Sequence, residues 1–341
     1  MNESKPRISI IYPSFNGEPY LKKNLDSIKN LTNLNEIELI IVDNNSTDLT
    51  IKIIESYKNK IRIKLIKNKV NIGFAKGCNI GVINANGDFI FITNQDTIFP
   101  QNFFESLLII YQKYKKEKEI IISPALVFNS NKIHYFGAKM HFLGFSYTTE
   151  LGQPLPKNKS VNLTKRFSGA TLFMKKNLFL ELGKFDPRFF MYCEDTDLSL
   201  RALRREIPIY TTNITYLIHQ KEDWFMSDFQ YFLLERNRIL TFIKNISEIK
   251  KIFPIFLLTE LSLLFHSILL KKFKIRIAIY RNLFKHLKKL KVLRKNSRKE
   301  SELISYHFFS KTLDPILIGE FQSLPVFRRL LKFFNLILKL I

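Results

Sequence analysis

Two apolar segments that each end in acid and amide side chains constrain this chain more than any other feature of its sequence. Residues 39–42 are followed by Asp43-Asn44-Asn45, and residues 89–93 by Asn94-Gln95-Asp96, with an Asn- and Gly-rich stretch at 71–81 between them. Continuous apolar runs separated by helical segments are typical of parallel strands in a sheet that is covered on both faces. Such sheets bind ligands just beyond the carboxyl ends of their strands. The pattern therefore predicts a site for a nucleotide and a metal ion at this edge of the sheet.

The chain divides by pattern into three sections. Strand and helix signals alternate through residues 1–130, which we interpret as a nucleotide-binding half. Residues 131–249 continue as an acceptor and catalytic half, with an aromatic, loop-like stretch at 135–149, and residues 250–341 form a basic, helical C-terminal region. We therefore expect one α/β catalytic domain over residues 1–249, with a mostly parallel central sheet flanked by helices, followed by a helical extension.

The positive charge of the chain is concentrated near its C-terminus. The formal net charge is +24, and residues 250–341 hold 20 Lys and Arg against 5 Asp and Glu. A basic surface attracts nucleic acid, anionic lipid or phosphorylated compounds, and charge alone does not choose among them. Cys78 and Cys193 form neither a metal-binding spacing nor a disulfide framework, and no apolar signal core precedes the first strand. We therefore expect a reduced, cytosolic setting.

Two segments of the basic region have the composition of membrane-binding helices. Residues 252–270 are almost wholly apolar and about long enough to span a bilayer, but Glu260 and His266 near the middle make a simple span costly. The Lys-rich flank that follows favours a helix lying in the membrane interface, and residues 326–341 repeat this basic amphipathic pattern. The alternative is a helical subdomain that packs on the catalytic domain or on another subunit.

Five motifs follow one another in order along residues 7–245. They are Ile11-Tyr12-Pro13-Ser14-Phe15-Asn16-Gly17, Val42-Asp43-Asn44-Asn45-Ser46, residues 71–81, Thr93-Asn94-Gln95-Asp96-Thr97 and Phe190-Met191-Tyr192-Cys193-Glu194-Asp195-Thr196-Asp197-Leu198. Taken together, their number, order and spacing resemble those of family 2 glycosyltransferases with the GT-A fold, most of all the rhamnosyltransferase-type branch. The resemblance implies a nucleotide-diphospho-sugar transferase fold and the transfer of a sugar from a nucleotide donor to a hydroxyl of a glycan acceptor.

The resemblance implies that the donor nucleotide binds along the first motifs. Asp43 would accept a hydrogen bond from the base, since a strand-end carboxylate can pair with an imide N–H; a turn or helix-capping Asp is the alternative. Gly73 permits close approach of backbone to a ligand, and the segment from Asn71 to Gly81 would border the ribose and diphosphate, with Asn79 and Gly81 on one side of a helical turn. The expected donor-binding residues are Pro13, Ser14, Asn16, Asp43, Asn45, Asn71, Gly73, Asn79 and Asn94.

Asn94-Gln95-Asp96 stands where the resembled family places an Asp-X-Asp metal motif. Asn94 replaces the first acid, which leaves Asp96 as the main carboxylate for Mg²⁺ or Mn²⁺ and makes Asn94 a partner for ribose or sugar hydroxyls. The metal would neutralise the charge that develops on the leaving nucleoside diphosphate. Related enzymes place a metal-ligating His after the corresponding late strand, so His219 is the expected second ligand; a structural His is the alternative.

Glu194-Asp195-Thr196-Asp197 places three acids at the start of a predicted helix, where acids also commonly do no more than stabilise the helix dipole. Asp195 matches the family's general base, which would take a proton from the acceptor hydroxyl as its oxygen attacks the anomeric carbon. Direct attack implies inversion at that carbon. Glu194, together with Arg236 and Arg238 on a later helix, is expected to bind the acceptor or a phosphate.

The motifs together predict a metal-dependent, inverting glycosyltransferase. We expect a peripheral or monotopic enzyme at the cytoplasmic face of the inner membrane, extending a glycan or lipid-linked acceptor in cell-surface polysaccharide or lipopolysaccharide synthesis. A sugar nucleotidyltransferase is one alternative, but it predicts a basic Gly-rich phosphate loop near the N-terminus, which residues 12–17 lack. A nucleic-acid-binding protein is the other; it accounts for the charge but not for the ordered acids, and no nucleic-acid-binding motif is present.

Overall fold

The computed structural model describes residues 6–141, 143–222, 226–246 and 249–285. These residues form two compact units. The first unit contains the described residues up to 138 and those from 148 to 222, and the second contains those from 139 to 147 and from 226 onward. The amphipathic helix predicted at 326–341 lies outside the described residues.

A mixed β-sheet forms the centre of the first unit. The described strands are β1 Ile8–Ser14, β2 Ile37–Asp43, β3 Ile63–Lys67, β4 Phe89–Thr93, β5 Thr97–Ile98, β6 Ile121–Phe128, β7 Ile133–Tyr135, β8 Ala138–Met140, β9 Ser146–Thr148, β10 Val161–Leu163, β11 Thr171–Lys175 and β12 Ile209–His219. The main sheet has the order β10-β12-β6-β11-β4-β1-β2-β3, with β5 beside β12 and β7 beside β6. β8 and β9 pair as a separate two-stranded ribbon, so the stretch expected to be a loop contains short strands.

The central sheet is mixed, with parallel strands on both sides of one antiparallel strand. β3, β2, β1 and β4 run parallel to one another, and β12 runs parallel to β6. β11 enters antiparallel between β4 and β6, and its first residue, Thr171, pairs with Thr93 at the end of β4. As a result, the loop that precedes β11 lies at the same edge of the sheet as the carboxyl ends of β1, β2 and β4.

The apolar residues of each central strand divide between the two faces of the sheet. In β1, Ile8, Ile10 and Tyr12 belong to one core cluster, whereas Ile11 belongs to the cluster on the opposite face. This division follows from the period-two alternation of side chains along a strand. Phe91 of β4 packs at centroid distances of 5.1 to 5.8 Å against three phenylalanines of the first cluster, in the edge-on geometry that aromatic pairs favour.

Helices cover both faces of the sheet. Those of the first unit are α1 Glu18–Lys29, α2 Thr50–Glu55, α3 Gly73–Ile83, α4 Phe103–Tyr114, α5 Lys176–Glu181 and α6 Glu194–Arg204. Helix α3 packs closely on β1: a Cβ atom built on Gly77 would lie 2.9 Å from the Pro13 side chain, and one on Gly81 would lie 2.3 Å from Cγ2 of Ile11. Small residues at these positions bring the start of α3 to the strand ends.

Three helices form the body of the second unit. They are α7 Asp228–Asn245, α8 Ile249–Leu269 and α9 Phe273–Lys285. Ser227 begins α7 with a capping box, in which its hydroxyl accepts the N–H of Gln230 and the Gln230 side chain accepts the N–H of Ser227. Ile239 of α7 packs against Ile279 and Leu283 of α9 in one apolar cluster. The boundary between the two units falls before α7, and the functional division of the chain at residue 249 stays a prediction.

Candidate functional site

The carboxyl ends of β1, β2 and β4 are joined by side chains. Ser14 at the end of β1 pairs in register with Asp43 at the end of β2. The Ser14 hydroxyl donates to Oε1 of Gln95, 2.6 Å away, and the Gln95 amide donates to the carbonyl oxygen of Phe15 at 3.1 Å. Gln95 therefore ties the segment after β4 to the end of β1. This network is the frame in which the expected donor-binding residues lie.

Asp43 is a turn-forming residue with one carboxylate oxygen left over. Its Oδ2 accepts the backbone N–H groups of Asn45 at 3.1 Å and Ser46 at 3.2 Å, which is the turn-forming role given above as the alternative to base binding. Its Oδ1 is buried and has no hydrogen-bond partner among the described residues. A buried carboxylate oxygen without a donor is costly, so the site is suited to a ligand that brings an N–H group.

The loops after β1 and β2 are bonded to each other. Oδ1 of Asn16 accepts the N–H of Thr47 at 2.9 Å, and the N–H of Asn16 donates to the Ser46 hydroxyl at 3.0 Å. Asn16 and Asn45 both have positive φ, 48° and 67°, in the region that Asn tolerates better than most residues. Both are exposed at this edge. Pro13 packs against α3, as described above, and so lies at the base of this edge of the sheet.

Gly73 connects the Asn/Gly turn to the segment that carries the acids. The N–H of Gly73 donates to Oδ1 of Asn71 at 2.9 Å, and Gly73 has φ +82°. A Cβ atom at this position would lie 2.5 Å from the carbonyl oxygen of Phe190, which itself accepts the N–H of Ala75 at 3.0 Å. Glycine is therefore required here twice, for its backbone conformation and for the approach of Phe190.

Asn79 occupies a different place from the one expected. Its side-chain amide donates to the Phe185 carbonyl oxygen at 2.7 Å, and its Oδ1 accepts the Phe185 N–H at 3.0 Å. Both ends of the amide are thus committed to the backbone that leads toward Phe190. The expectation that Asn79 and Gly81 share one side of a helical turn fails because residues two apart do not face the same way. Asn94, by contrast, is half-buried at the strand end beside Asp96.

Asp96 and His219 meet at the ends of β4 and β12. Nε2 of His219 lies 3.2 Å from Oδ2 of Asp96, and the N–H of Gln220 donates to the Asp96 carbonyl oxygen at 2.8 Å. Oδ1 of Asp96 and Nδ1 of His219 are both buried without a partner in the described part of the chain. Carboxylate and imidazole are ligand types that Mn²⁺ accepts, and a carboxylate with diphosphate oxygens is a usual Mg²⁺ site. The pair therefore fits a divalent metal; no cluster of three or more potential ligands occurs among the described residues.

His134 is a buried neighbour of this pair that the motifs did not indicate. Its ring stacks on Phe128 at 4.8 Å and lies 4.8 Å from the ring of His219. Burial, reinforced by the charges of His219 and Arg166, lowers the pKa of His134 to about 4. His134 is therefore neutral at pH 7 and does not add positive charge beside Asp96 and His219.

Asp195 lies at the start of α6 and is held by three groups. Nη1 of Arg166 lies 2.7 Å from Oδ2 of Asp195, and the N–H of Gly169 donates to the same oxygen at 3.2 Å. Oδ1 accepts the N–H of Thr196 at 2.6 Å. Gly169 lies two residues before β11, whose first residue pairs with Thr93, so Asp195 is brought to the edge that carries Asp96. Sequence reasoning placed Asp195 at a helix start but did not identify Arg166.

Arg166 is a largely buried cation. The Arg166 guanidinium lies 5.8 Å from the ring centroid of Tyr135, whose hydroxyl donates to the Arg166 carbonyl oxygen at 2.6 Å. Its Nε is buried without a partner among the described residues. The basic stretch Lys165-Arg166 before an apolar strand was the only available signal, and it does not reveal the contact across 29 residues.

Glu194 is a buried acid beside the expected base. It is 5% exposed, and its Oε2 has no partner in the described residues. Burial, with the negative charge of Asp195 adding to it, raises the pKa of Glu194 to about 8. Glu194 is therefore largely protonated at pH 7, so the adjacent acids carry less than two negative charges. The predicted role of Glu194 in binding the acceptor stays a prediction.

The segment before α6 is held in an unusual backbone conformation. Phe190, Tyr192 and Cys193 have φ of 63°, 71° and 65°, in a region that residues with side chains rarely adopt. Non-glycine residues in this region cost free energy and cluster at active sites and ligand clamps. Asp197, one turn further on, is fully buried and pairs with Arg201 at 2.7 Å, which assigns it to the packing of α6.

Arg236 and Arg238, the expected acceptor or phosphate contacts, lie in the second unit. Arg238 pairs with Glu235 at 3.2 Å and with Glu260, and its Nη1 donates to the carbonyl oxygen of Leu143 at 3.1 Å. Arg236 donates to Oδ1 of Asn237 at 2.7 Å. The structure therefore commits Arg238 to a buried ion-pair cluster, and the phosphate role of both arginines stays a prediction.

A separate cavity of about 820 Å³ opens at the opposite, amino-terminal edge of the sheet. It is lined by polar residues that include Glu38, Arg62 and Lys175. Glu38 accepts hydrogen bonds from the Ser9 hydroxyl at 2.6 Å and from the backbone of Asn86 at 2.5 Å, so its carboxylate is already used in joining strand starts. Asp43, Asp96 and Asp195 lie at the other edge.

Comparison with known proteins finds relatives of this chain. The family model described as glycosyl transferase family 2 matches residues 9–181. An uncharacterized glycosyltransferase of Rickettsia typhi is 29% identical over 208 residues, which are 60% of each chain. A Methanococcus voltae enzyme, a dolichyl N-acetyl-alpha-D-glucosaminyl phosphate 3-beta-D-2,3-diacetamido-2,3-dideoxy-beta-D-glucuronosyltransferase, is 36% identical over 33% of this chain and 36% of its own length. These matches span less than two thirds of the relatives' lengths.

A solved structure gives the same fold. The crystal structure of GalNAc-T7 with UDP, GalNAc and Mn²⁺ superposes with a TM-score of 0.57 at 16% identity, covering 73% of this chain and 50% of that one. At this level of identity the likeness concerns the fold. The first unit therefore has the GT-A-like α/β fold that the motifs predicted, with a mixed central sheet flanked by helices.

Proposed function

This chain belongs to glycosyl transferase family 2, and on that premise we propose that it moves a hexosyl group from a nucleoside-diphosphate sugar to a hydroxyl of a glycan acceptor, with inversion at the anomeric carbon. The observation that carries the proposal is the edge described above. Asp43, Asp96, His219 and Asp195 lie there. Asp43, Asp96 and His219 each keep a buried polar atom without a partner among the described residues.

The donor is proposed to bind along the ends of β1, β2 and β4. Asp43 accepts the imide N–H of a uracil or thymine base through its unpartnered oxygen, and the turn from Asn71 to Gly73 borders the ribose and diphosphate. Asn94 contacts ribose or sugar hydroxyls. Asn79 is left out of this set, because both ends of its amide bond the Phe185 backbone. Rhamnose is the hexose that the motif resemblance favours.

Asp96 and His219 are proposed to hold Mg²⁺ or Mn²⁺. When bound, the metal supplies positive charge to the leaving diphosphate. GalNAc-T7, which shares the fold, is described with UDP and Mn²⁺. In this chain Asp96 is the carboxylate at the position, since Asn94 replaces the other acid of the motif.

Asp195 is proposed to take the proton from the acceptor hydroxyl. Arg166 and the Gly169 N–H hold Oδ2 of Asp195, and Thr196 holds Oδ1, so the carboxylate has one orientation. A fixed carboxylate within reach of the hydroxyl is what general-base catalysis requires. The attacking oxygen forms the new bond to the anomeric carbon as the bond to the diphosphate breaks.

The acceptor is proposed to be a lipid-linked glycan at the cytoplasmic face of the inner membrane, in the synthesis of a cell-surface polysaccharide or lipopolysaccharide. The Methanococcus relative is named for its action on a dolichyl-phosphate-linked acceptor. One described helix of this chain, with residues 252–269, is long and apolar enough to cross a membrane. Both observations support an acceptor anchored in lipid.

The test combines donor binding with transfer. Purified protein is screened by thermal shift against UDP- and dTDP-sugars with Mg²⁺ or Mn²⁺, since a ligand at 100 times its Kd stabilises by about 2.7 kcal/mol. With the donor identified, Asp195→Asn should bind it normally but transfer no sugar, and Asp96→Ala should lose metal-dependent donor binding. Asp228→Asn, an exposed acid of the second unit, is the matched control. Transfer by Asp195→Asn at the native rate, or the lack of a shift with every donor, would contradict the proposal.

A further inference from the structure

Helix α8 buries its central polar residues together with Ile252, Ile255 and Leu263, and the side that it exposes is apolar. Thr259, Glu260, His266 and Ser267 are each 9% exposed or less, within the second unit. Six of the exposed apolar residues of α8 form what we call the α8 stripe: Leu257, Leu258, Leu261, Phe265, Ile268 and Leu269. Their exposed fractions run from 46% to 64%. A surface helix normally presents polar residues to water, so an exposed side made of apolar residues indicates a partner of low polarity.

The inward orientation of α8 is fixed by charge. Glu260 pairs with Arg238 of α7 and, at 2.9 Å, with Arg276 of α9, and it accepts the hydroxyl of Tyr280 at 2.9 Å. Arg276 is fully buried, and it also pairs with Glu235. Turning α8 to bury its stripe would break both ion pairs and leave buried charges without partners, which is strongly unfavourable. The stripe therefore stays on the outside.

The same packing argues against a helix that crosses the membrane. The 21 residues of α8 span about 31 Å, enough for the hydrocarbon core. However, α9 packs beside it with only 13 residues, and it carries the exposed residues Lys274, Arg281 and Lys285. A span by α8 would place these charges in hydrocarbon, where they are costly. Only the exposed side of α8 can enter lipid while α7 and α9 stay outside it.

We propose that the α8 stripe docks on the surface of an anionic bilayer, with α8 lying parallel to the membrane plane. Two exposed lysines, Lys271 and Lys274, follow the stripe directly and complement anionic headgroups. An amphipathic helix in this position buries its apolar side at the boundary of headgroups and acyl chains. The inference deepens the proposed function, since it places the enzyme on the surface where a lipid-linked acceptor lies.

The test measures vesicle binding by the full-length protein, without donor or acceptor, so its result is independent of sugar transfer. Flotation is compared on phosphatidylcholine and on an equal mixture of phosphatidylcholine and phosphatidylglycerol. We expect binding to the anionic vesicles that falls with salt and is reversed by carbonate at high pH. Leu257→Glu and Leu261→Glu should each reduce the partition coefficient about tenfold or more, because burial of a leucine is worth roughly that factor. Ile109→Glu, on the exposed side of α4, is the matched control and should bind as the native protein does.

Four results would overturn the proposal. Binding that resists carbonate would indicate a helix that crosses the bilayer. Binding that survives both stripe substitutions would place the attachment elsewhere in the chain. Loss of a dimer on Leu261→Glu would show that a second copy covers the stripe. If the protein is a folded monomer and does not bind anionic vesicles, the proposal is refuted directly. Circular dichroism of Leu261→Glu keeps the test valid, and Leu261→Gln replaces it if the helix content falls.

Discussion

Replacing Gly73 with alanine tests whether the donor turn and the catalytic segment are one mechanical unit. The new Cβ would lie 2.5 Å from the Phe190 carbonyl oxygen and 2.6 Å from Cδ2 of its ring. An L residue in the left-handed region costs about 1–2 kcal/mol, and overpacking a closed site adds about 1–3 kcal/mol. We therefore expect Gly73→Ala to lower the free energy of unfolding by about 2–5 kcal/mol.

Gly183→Ala separates the two contributions. Gly183 has φ +84°, nearly that of Gly73, but the nearest atom to its built Cβ is Nη1 of Arg201 at 3.3 Å, the end of a side chain. It should therefore lose only the backbone contribution of about 1–2 kcal/mol. The remaining difference between the two variants measures the contact with Phe190.

The assay is urea unfolding of both variants together with steady-state transfer kinetics. Phe190 leads through a strained segment to Asp195, and a displacement of about 1 Å at a reacting group can cost on the order of 100-fold in rate. Gly73→Ala should therefore reduce kcat strongly and raise the KM for donor, whereas Gly183→Ala should change neither. Equal stability of the two variants with native kcat in both would refute the coupling.

Three further substitutions probe the charges of the site. Glu194→Gln should flatten the pH dependence of stability, measured by urea unfolding from pH 5 to 9. Because the pKa of Glu194 is raised to about 8 in the folded protein, its proton stabilises the fold fully below about pH 4.5. That stabilisation, up to about 5 kcal/mol, is lost as the pH rises through 8. A native slope in this variant would contradict the assignment. Arg166→Leu leaves Asp195 without its ion pair, so kcat should fall while the KM for donor holds, with partial recovery in Arg166→Lys; an unchanged kcat would remove Arg166 from the positioning of the base. Asp43→Asn keeps a turn acceptor but loses an anionic partner for an imide N–H, so donor affinity measured by titration calorimetry should fall about tenfold, the worth of a charge-assisted hydrogen bond; native affinity would place the base elsewhere.

Residues at strand ends could be located from the sequence because their position depends on local pattern alone. Asp43 ends one apolar run and Asp96 lies three residues after another, and parallel strands bring such ends together whatever the loops do. Asn79 could not be placed in this way. Its amide bonds the Phe185 backbone, 106 residues away, and helical spacing carries no information about that partner. The same holds for Arg166, which reaches Asp195 only because β11 enters the sheet antiparallel, a feature that the strand pattern did not predict.

The apolar helix shows how a residue can keep its sequence-level importance while the reason for it changes. From the sequence, Glu260 counted against a membrane span because an isolated acid is costly in lipid. In the structure Glu260 is paired with Arg238 and Arg276, so that cost is largely offset within the protein. What now disfavours a span is the short, charged neighbour α9, which hydropathy along α8 does not register. Hydropathy measures how apolar a helix is; the ion pairs of Glu260 decide which side of it faces outward, and that direction is what separates a helix lying on a membrane from one buried in a core.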